Sequence, residues 1–144
     1  KEKRYWHDEI GFNYRMTNLQ AAIGCAQIEQ IDQILLRNEK IEKDYINALS
    51  ELNLFNWQRN FNNRKKVVWL MCCTTDKRKE VMKALTNNNI DVRPFFYCLS
   101  EMPIYSQYTY SNSNALRVSK IGLNLPTVKQ VDFMRIKDIL STIS

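Results

Sequence analysis

The longest clean apolar run in this sequence is Val67-Val68-Trp69-Leu70-Met71-Cys72-Cys73. It is too short to cross a membrane, and its β-branched and aromatic content suits a buried strand. Patterns of helical period flank it on both sides, so the chain is expected to set a few strands among helices, an α+β domain. Upstream, Thr17-Asn18-Leu19-Gln20 has the spacing of a capping box, and a helix is predicted to open there. That helix runs through Leu19-Gln20-Ala21-Ala22-Ile23-Gly24-Cys25-Ala26 and is apolar on nearly every face. Such a helix is buried all round, or on one side by a partner chain, and its small residues let a second helix approach. Beyond Ile31–Leu36 the pattern turns amphipathic, with Ile41, Tyr45, Ala48, Leu49 and Leu52 on one face.

Residues 53–66 read as a loop or weak strand. After the apolar run, Asp76–Asn88 is predicted helical with Val81, Ala84 and Leu85 inward, stopped by Asn87-Asn88-Asn89. Ile90–Pro94 reads as a second extended piece, because a residue before proline avoids helical angles. Residues 95–111 are aromatic and irregular, a short helix is expected near Ser113–Ile121, and Gly122–Pro126 reads as a brief extended link. Thr127-Val128-Lys129-Gln130 repeats the capping-box spacing and is expected to open the last helix, with Ile136, Ile139, Leu140 and Ile143 on one face. Gly11, in the irregular lead-in, is expected to need an unusual backbone angle.

The chain's 144 residues are enough for one domain with a real core. Its formal charge of +6 raises the question of nucleic acid. The basic residues are scattered, with small knots at Lys1–Arg4, Arg64–Lys66 and Lys77–Lys79, and no basic stripe alternates with aromatic residues. They read as a solvated surface, with neither nucleic acid nor membrane as partner. Cys25, Cys72, Cys73 and Cys98 form no C-x-x-C pair and His7 is the only histidine, so no metal site is expected. Cys72 and Cys73 should point to opposite faces of a strand, and the cysteines are expected to be buried reduced thiols of a cytoplasmic protein. The chain has no signal-peptide pattern, and it starts without methionine in what reads as a loop. It is expected to be an excised or processed piece.

The most informative segment is Tyr5-Trp6-His7-Asp8-Glu9-Ile10-Gly11-Phe12-Asn13-Tyr14-Arg15-Met16-Thr17-Asn18, followed by Ala21-Ala22-Ile23-Gly24 and Gln27-Ile28. It resembles the DegT/StrS family of sugar aminotransferases, whose pattern reads G-[YF]-N-[YF]-[RK]-[ML]-[TS] before a helix with A-A-I-G and Q-[LI]. Looser matches follow in the right order: Trp69 in the strand, Asn89-Ile90-Asp91-Val92-Arg93-Pro94-Phe95-Phe96-Tyr97 after the helix, and Leu123-Asn124-Leu125-Pro126 before the last helix. The resemblance covers essentially the whole chain. Within the family it is closest to enzymes making 4-amino-4,6-dideoxy sugars of the perosamine type.

The resemblance implies the small C-terminal domain of a fold-type I aminotransferase, with pyridoxal 5'-phosphate as cofactor and a nucleotide-linked keto-sugar and glutamate as substrates. It further implies a homodimer with active sites at the subunit interface. Residues 1–16 would be an active-site and interface loop, and 17–144 the small domain with its leading helices. The family's N-terminal domain supplies the Schiff-base lysine, the aspartate facing the pyridine nitrogen and an aromatic over the ring. No lysine here lies in a matching context, so no catalytic residue is assigned and the chain alone is expected to be inactive.

By the family pattern, Asn13 matches the asparagine whose amide donates to the cofactor phosphate of the other subunit, and Arg15 a basic position near that phosphate. The chemistry suits a dianion, which needs donors and compensating charge. Spacing alone favours a different reading, in which Asn13 caps its own loop and Arg15 makes a surface ion pair, and the resemblance reverses that preference. His7 either contacts substrate or is packed in its aromatic loop. Phe96 and Tyr97 match a stretch bordering the sugar site, and either wall that pocket or pack in the core. Cys98 stands where the family has proline and Ser100 where it often has histidine, so a contact made by that histidine does not carry over. Two alternatives stay open: a sugar 3-dehydratase of the same fold, and a stand-alone dimerisation or regulatory module.

Overall fold

A computed structural model describes residues 5–108, 113–128 and 130–143; the basic knot at Lys1–Arg4, residues 109–112 and Lys129 lie outside it. Thr17 opens the first helix, α1 (Asn18–Ile28), through the expected reciprocal cap. Its Oγ1 accepts from the Gln20 amide at 3.3 Å, and Gln20 Oε1 accepts from the Thr17 amide at 2.8 Å. Within this chain the all-round burial expected of α1 does not occur: none of its residues is buried, and Cys25, expected to be a buried thiol, is exposed. Gly24 has open space where a Cβ would stand, and so does Gly11, which has no positive φ. Nothing in the backbone therefore requires glycine at position 11.

The second helix, α2 (Ile31–Leu49), buries Ile41, Tyr45 and Leu49, four residues apart and so on one face. A 3₁₀ turn (Ser50–Leu52) ends at Asn53 in the left-handed region, which asparagine tolerates. The strand β1 (Asn56–Trp57) is all that residues 53–66 contribute to the sheet. Strand β2 (Met71–Thr74) occupies only the end of the apolar run: Met71 and Cys73 face the core, while Cys72 points away and its Sγ lies 3.2 Å from Asn124 Oδ1. The run's first half is a loop pinned to α2, where the buried Asn38 amide donates to the Val68 carbonyl at 2.8 Å. Helix α3 (Arg78–Asn87) buries Val81 and Leu85 and gives way to Asn89, at φ 60°. Strand β3 (Arg93–Pro94) leads into two 3₁₀ turns (Leu99–Glu101 and Pro103–Tyr108), then helix α4 (Ser113–Ile121).

Gly122–Leu125, expected to be a link, is the strand β4, buried at every residue and paired antiparallel with both β2 and β3. The order is β1-β2-β4-β3. At Gly122 the ring of Phe95 and the Val118 carbonyl press so close that an added Cβ would lie 2.7 Å from that oxygen, so only glycine fits. The last helix, α5 (Phe133–Ser141), starts later than the second capping-box pattern implies. Asp132 caps it, accepting from the Arg135 amide at 2.9 Å, while the Thr127 hydroxyl is diverted to the Trp69 carbonyl at 3.2 Å. Ile136 and Leu140 are buried, and Ile139 and Ile143 half-buried, as their spacing predicts. The helices α2, α3 and α5 pack with the inward side chains of β2 and β4 in one core around Tyr45, Leu49, Met71, Leu85, Leu123 and Leu140. Each such leucine contributes about 1.5–3 kcal/mol by leaving water. The α+β architecture expected from the sequence is what the chain adopts.

Candidate functional site

The pairing of β3 with β4 carries the chain out of the sheet at Phe95, whose amide donates to the Gly122 carbonyl at 3.1 Å. Phe96 and Tyr97 follow immediately. The lead-in to α1 is laid against them: the rings of Tyr5 and Phe96 have centroids 4.7 Å apart, and Trp6 meets Tyr97 edge-on at 5.5 Å. These tilted and T-shaped contacts suit aromatic quadrupoles. Tyr5 holds a left-handed backbone angle, φ 63°, which a bulky side chain takes only when its surroundings impose it. Arg93 is a further restraint, since its guanidinium bonds both Asp91 and the Tyr5 hydroxyl. Those partners, Asp91 first, hold its pKa above the ordinary value. The Trp6 indole donates to Asp8 Oδ1 at 2.9 Å.

This docking creates a cavity of about 430 Å³ between the lead-in and the aromatic turn. His7, Glu9 and Gly11 line one side, Phe96 and Tyr97 the other, with the buried Met102 below. Three of the sequence-predicted site residues, His7, Phe96 and Tyr97, therefore share one cavity. Asn13 and Arg15 do not line it. They are exposed on the irregular stretch between Gly11 and the Thr17 cap. Among the described residues no hydrogen bond or ion pair engages the side chain of His7, Asn13 or Arg15.

A carboxamide and a guanidinium free to turn toward a ligand are a fitting donor set for a phosphate dianion. Among the described residues no lysine lines the cavity. No group of three or more histidine, cysteine, aspartate or glutamate side chains among the described residues could hold a metal ion. Cys98 Sγ and Ser100 Oγ lie 3.1 Å apart and engage each other, so the positions that depart from the family pattern form a small polar pair rather than presenting an imidazole.

Sequence reasoning missed Tyr5 and Trp6 as the clamp that forms the cavity, and Glu9 and Tyr105 as part of its wall. The available signal was two aromatic dyads, Tyr5-Trp6 and Phe96-Tyr97. Nothing in a single sequence pairs segments so far apart.

The model of the DegT/DnrJ/EryC1/StrS aminotransferase family matches residues 1–144. GDP-perosamine synthase of Vibrio cholerae is 36% identical over 152 residues, covering 98% of this chain and 40% of the relative. The chain thus spans well under half the length of that curated relative. Among solved structures, the sugar aminotransferase CalS13 from Micromonospora echinospora superposes with a TM-score of 0.74 at 15% identity, over 92% of this chain and 36% of that one. The E. coli GDP-4-keto-6-deoxy-D-mannose-3-dehydratase, solved with bound hydrated PLP, gives 0.72 at 19% identity, over 90% and 36%. At these identities the two structures speak to fold alone.

Proposed function

This chain belongs to the DegT/DnrJ/EryC1/StrS aminotransferase family, and we propose that it forms the C-terminal part of an enzyme converting a nucleotide-linked keto-sugar to an amino sugar, with glutamate as donor. The observation that carries the proposal is the family match along the entire chain, joined to a relative of perosamine-synthase type at 36% identity. Residues 1–16 act as the active-site and interface loop, and 17–144 as the small domain with its leading helices. Pyridoxal phosphate, when bound, supplies the electron sink for moving an amino group.

This chain's own contributions are binding, orientation and exclusion of water. Asn13 donates its amide N–H to the cofactor phosphate of the other subunit, and Arg15 offsets the phosphate charge. Phe96 and Tyr97 wall the sugar, and His7, across the cavity from them, contacts the substrate. The cavity shared by His7, Phe96 and Tyr97 supports this assignment. Because no lysine of this chain lies in a context matching the family's Schiff-base motif, the 144-residue chain by itself is proposed to carry out no transamination. The setting proposed is the cytoplasm; no helix among the described residues is long and apolar enough to cross a membrane.

The test is an assay of a full-length protein containing this chain, given a nucleotide-linked 4-keto sugar and L-glutamate. Formation of the amino sugar together with 2-oxoglutarate is expected. Loss of the C3 hydroxyl instead, without amino transfer, would assign the sugar 3-dehydratase reaction. Borohydride reduction of the isolated chain with pyridoxal phosphate should leave no stoichiometrically labelled lysine on peptide mapping, and one such lysine would overturn the claim of inactivity.

A further inference from the structure

Behind the wall formed by Phe96 and Tyr97 lies a second, larger cavity of about 630 Å³. Four residues, Phe96, Tyr97, Leu99 and Tyr105, line both it and the cavity that contains His7. The larger chamber adds Phe95 and Tyr108, and the α4 residues Ala115, Val118 and Ser119 complete it. Among the described residues no acidic or basic side chain lines it, and the polar side-chain atoms there are hydroxyls and the Cys98 thiol. The smaller chamber differs in chemistry, presenting the imidazole of His7 and the carboxylate of Glu9.

We infer that the larger chamber receives the base of the nucleotide-linked substrate while the sugar occupies the His7 chamber. This inference rests on the reading under Proposed function. A nucleotide-linked sugar has a polar reacting end and a flat, uncharged ring at the other. The two chambers offer those environments side by side. Aromatic faces attract any base ring by stacking, whereas a cavity without cations is a poor place for the diphosphate. The volume falls within the range of small-molecule sites, roughly 300–1,000 Å³, and exceeds what a base alone fills.

The test titrates the 144-residue chain with GDP, UDP, ribose 5-phosphate and inorganic pyrophosphate, following backbone amides by NMR. GDP or UDP should shift Ser100, Ala115 and Ser119, while ribose 5-phosphate and pyrophosphate leave them in place. Ala115→Phe, which fills the chamber from α4, should weaken nucleotide binding at least tenfold. Tyr108→Ala removes a stacking face at an exposed position with little risk to folding, and should weaken it about fivefold or more. The inference is overturned if neither nucleotide shifts the chamber, or if both variants bind as the parent does. A nucleotide-linked sugar that shifts only the His7 chamber overturns the base site and leaves the aminotransferase reading standing. Bases that enter the larger chamber while no nucleotide-linked sugar reaches the His7 chamber do the reverse.

Discussion

Trp6 meets Tyr97 edge-on, with ring centroids 5.5 Å apart and planes at 87°. The contact joins the start of the described chain to the turn after β3, and it holds His7 over the cavity. Such a pair contributes about 0.5–1.5 kcal/mol beyond the area it buries. Trp6→Ala should therefore release residues 7–11 and leave the core intact. Amide exchange is the measurement: faster exchange at His7–Gly11 is expected, with α2 and β4 unchanged. Unchanged protection at His7 would show that Tyr5 and Phe96 hold the lead-in without help.

Stability should fall as the solution becomes alkaline, because two buried acids keep their protons in the fold. Burial raises the Tyr45 phenol well above its ordinary 10.0, and raises the Cys73 thiol well above 9.0. The unfolded chain binds fewer protons than the folded one once pH exceeds those ordinary values, so stability is full below pH 9 and declines above it. The slope reaches about 1.4 kcal/mol per pH unit for each group. Tyr45 also donates to the Pro126 carbonyl at 3.0 Å. Tyr45→Phe should cost about 1 kcal/mol at neutral pH and flatten the decline above pH 10. Denaturant melts from pH 7 to 11 would check both, and an equally steep decline in the variant would refute the role of Tyr45.

Local signals in the sequence survived folding where no distant partner competed for the same groups. The Thr17 cap was legible because both partners lie within four residues, and the inward face of α2 because Ile41, Tyr45 and Leu49 repeat at one helical spacing. The opposed faces of Cys72 and Cys73 followed from strand alternation alone. By contrast, β4 looked like a link because glycine and asparagine interrupt its leucines; its status comes from Met71 and Cys73 pairing opposite Leu125 and Leu123. The second capping box failed because Thr127 has a better partner in the Trp69 carbonyl, a contact across the fold. The site was legible in part for the same reason: its residues could be named from a motif, while their grouping depended on aromatic pairs far apart in sequence.

Self-association through α1 is the next expectation, and a second copy of the chain is the proposed cover. Leu19 is 80% exposed, Ile23 65% and Ile28 69%. A helix that is apolar on nearly every face and exposed along its length is a surface awaiting a neighbour. Sedimentation velocity should show a species that grows with concentration. Ile23→Asp should weaken association about tenfold or more, since burying an isoleucine is worth roughly 1.5–3 kcal/mol. The fold should survive, because α1 has no buried residue. A strictly monomeric chain at high concentration would mean that α1 is covered by something other than its own copy.

The sharpest expectation concerns Asn13 in the full-length enzyme, acting as phosphate ligand across the dimer. Its side chain has no partner among the described residues and stands on the exposed stretch before the Thr17 cap, so nothing in the fold depends on it. Losing one charge-assisted hydrogen bond should cost about 1.5–3 kcal/mol, roughly ten- to a hundredfold in cofactor affinity. Asn13→Ala should therefore retain the cofactor less tightly, read from its absorbance after dialysis, with an unchanged melting temperature of the apoprotein. Mixing it with a variant lacking the cofactor-bearing lysine separates two geometries. If Asn13 serves the other subunit's site, the mixed dimer has one site with both defects and one with neither, and activity returns. If it serves its own, each site carries one defect and the mixture stays inactive. An Asn13→Ala enzyme that holds cofactor as tightly as the parent would make Asn13 a loop residue and nothing more.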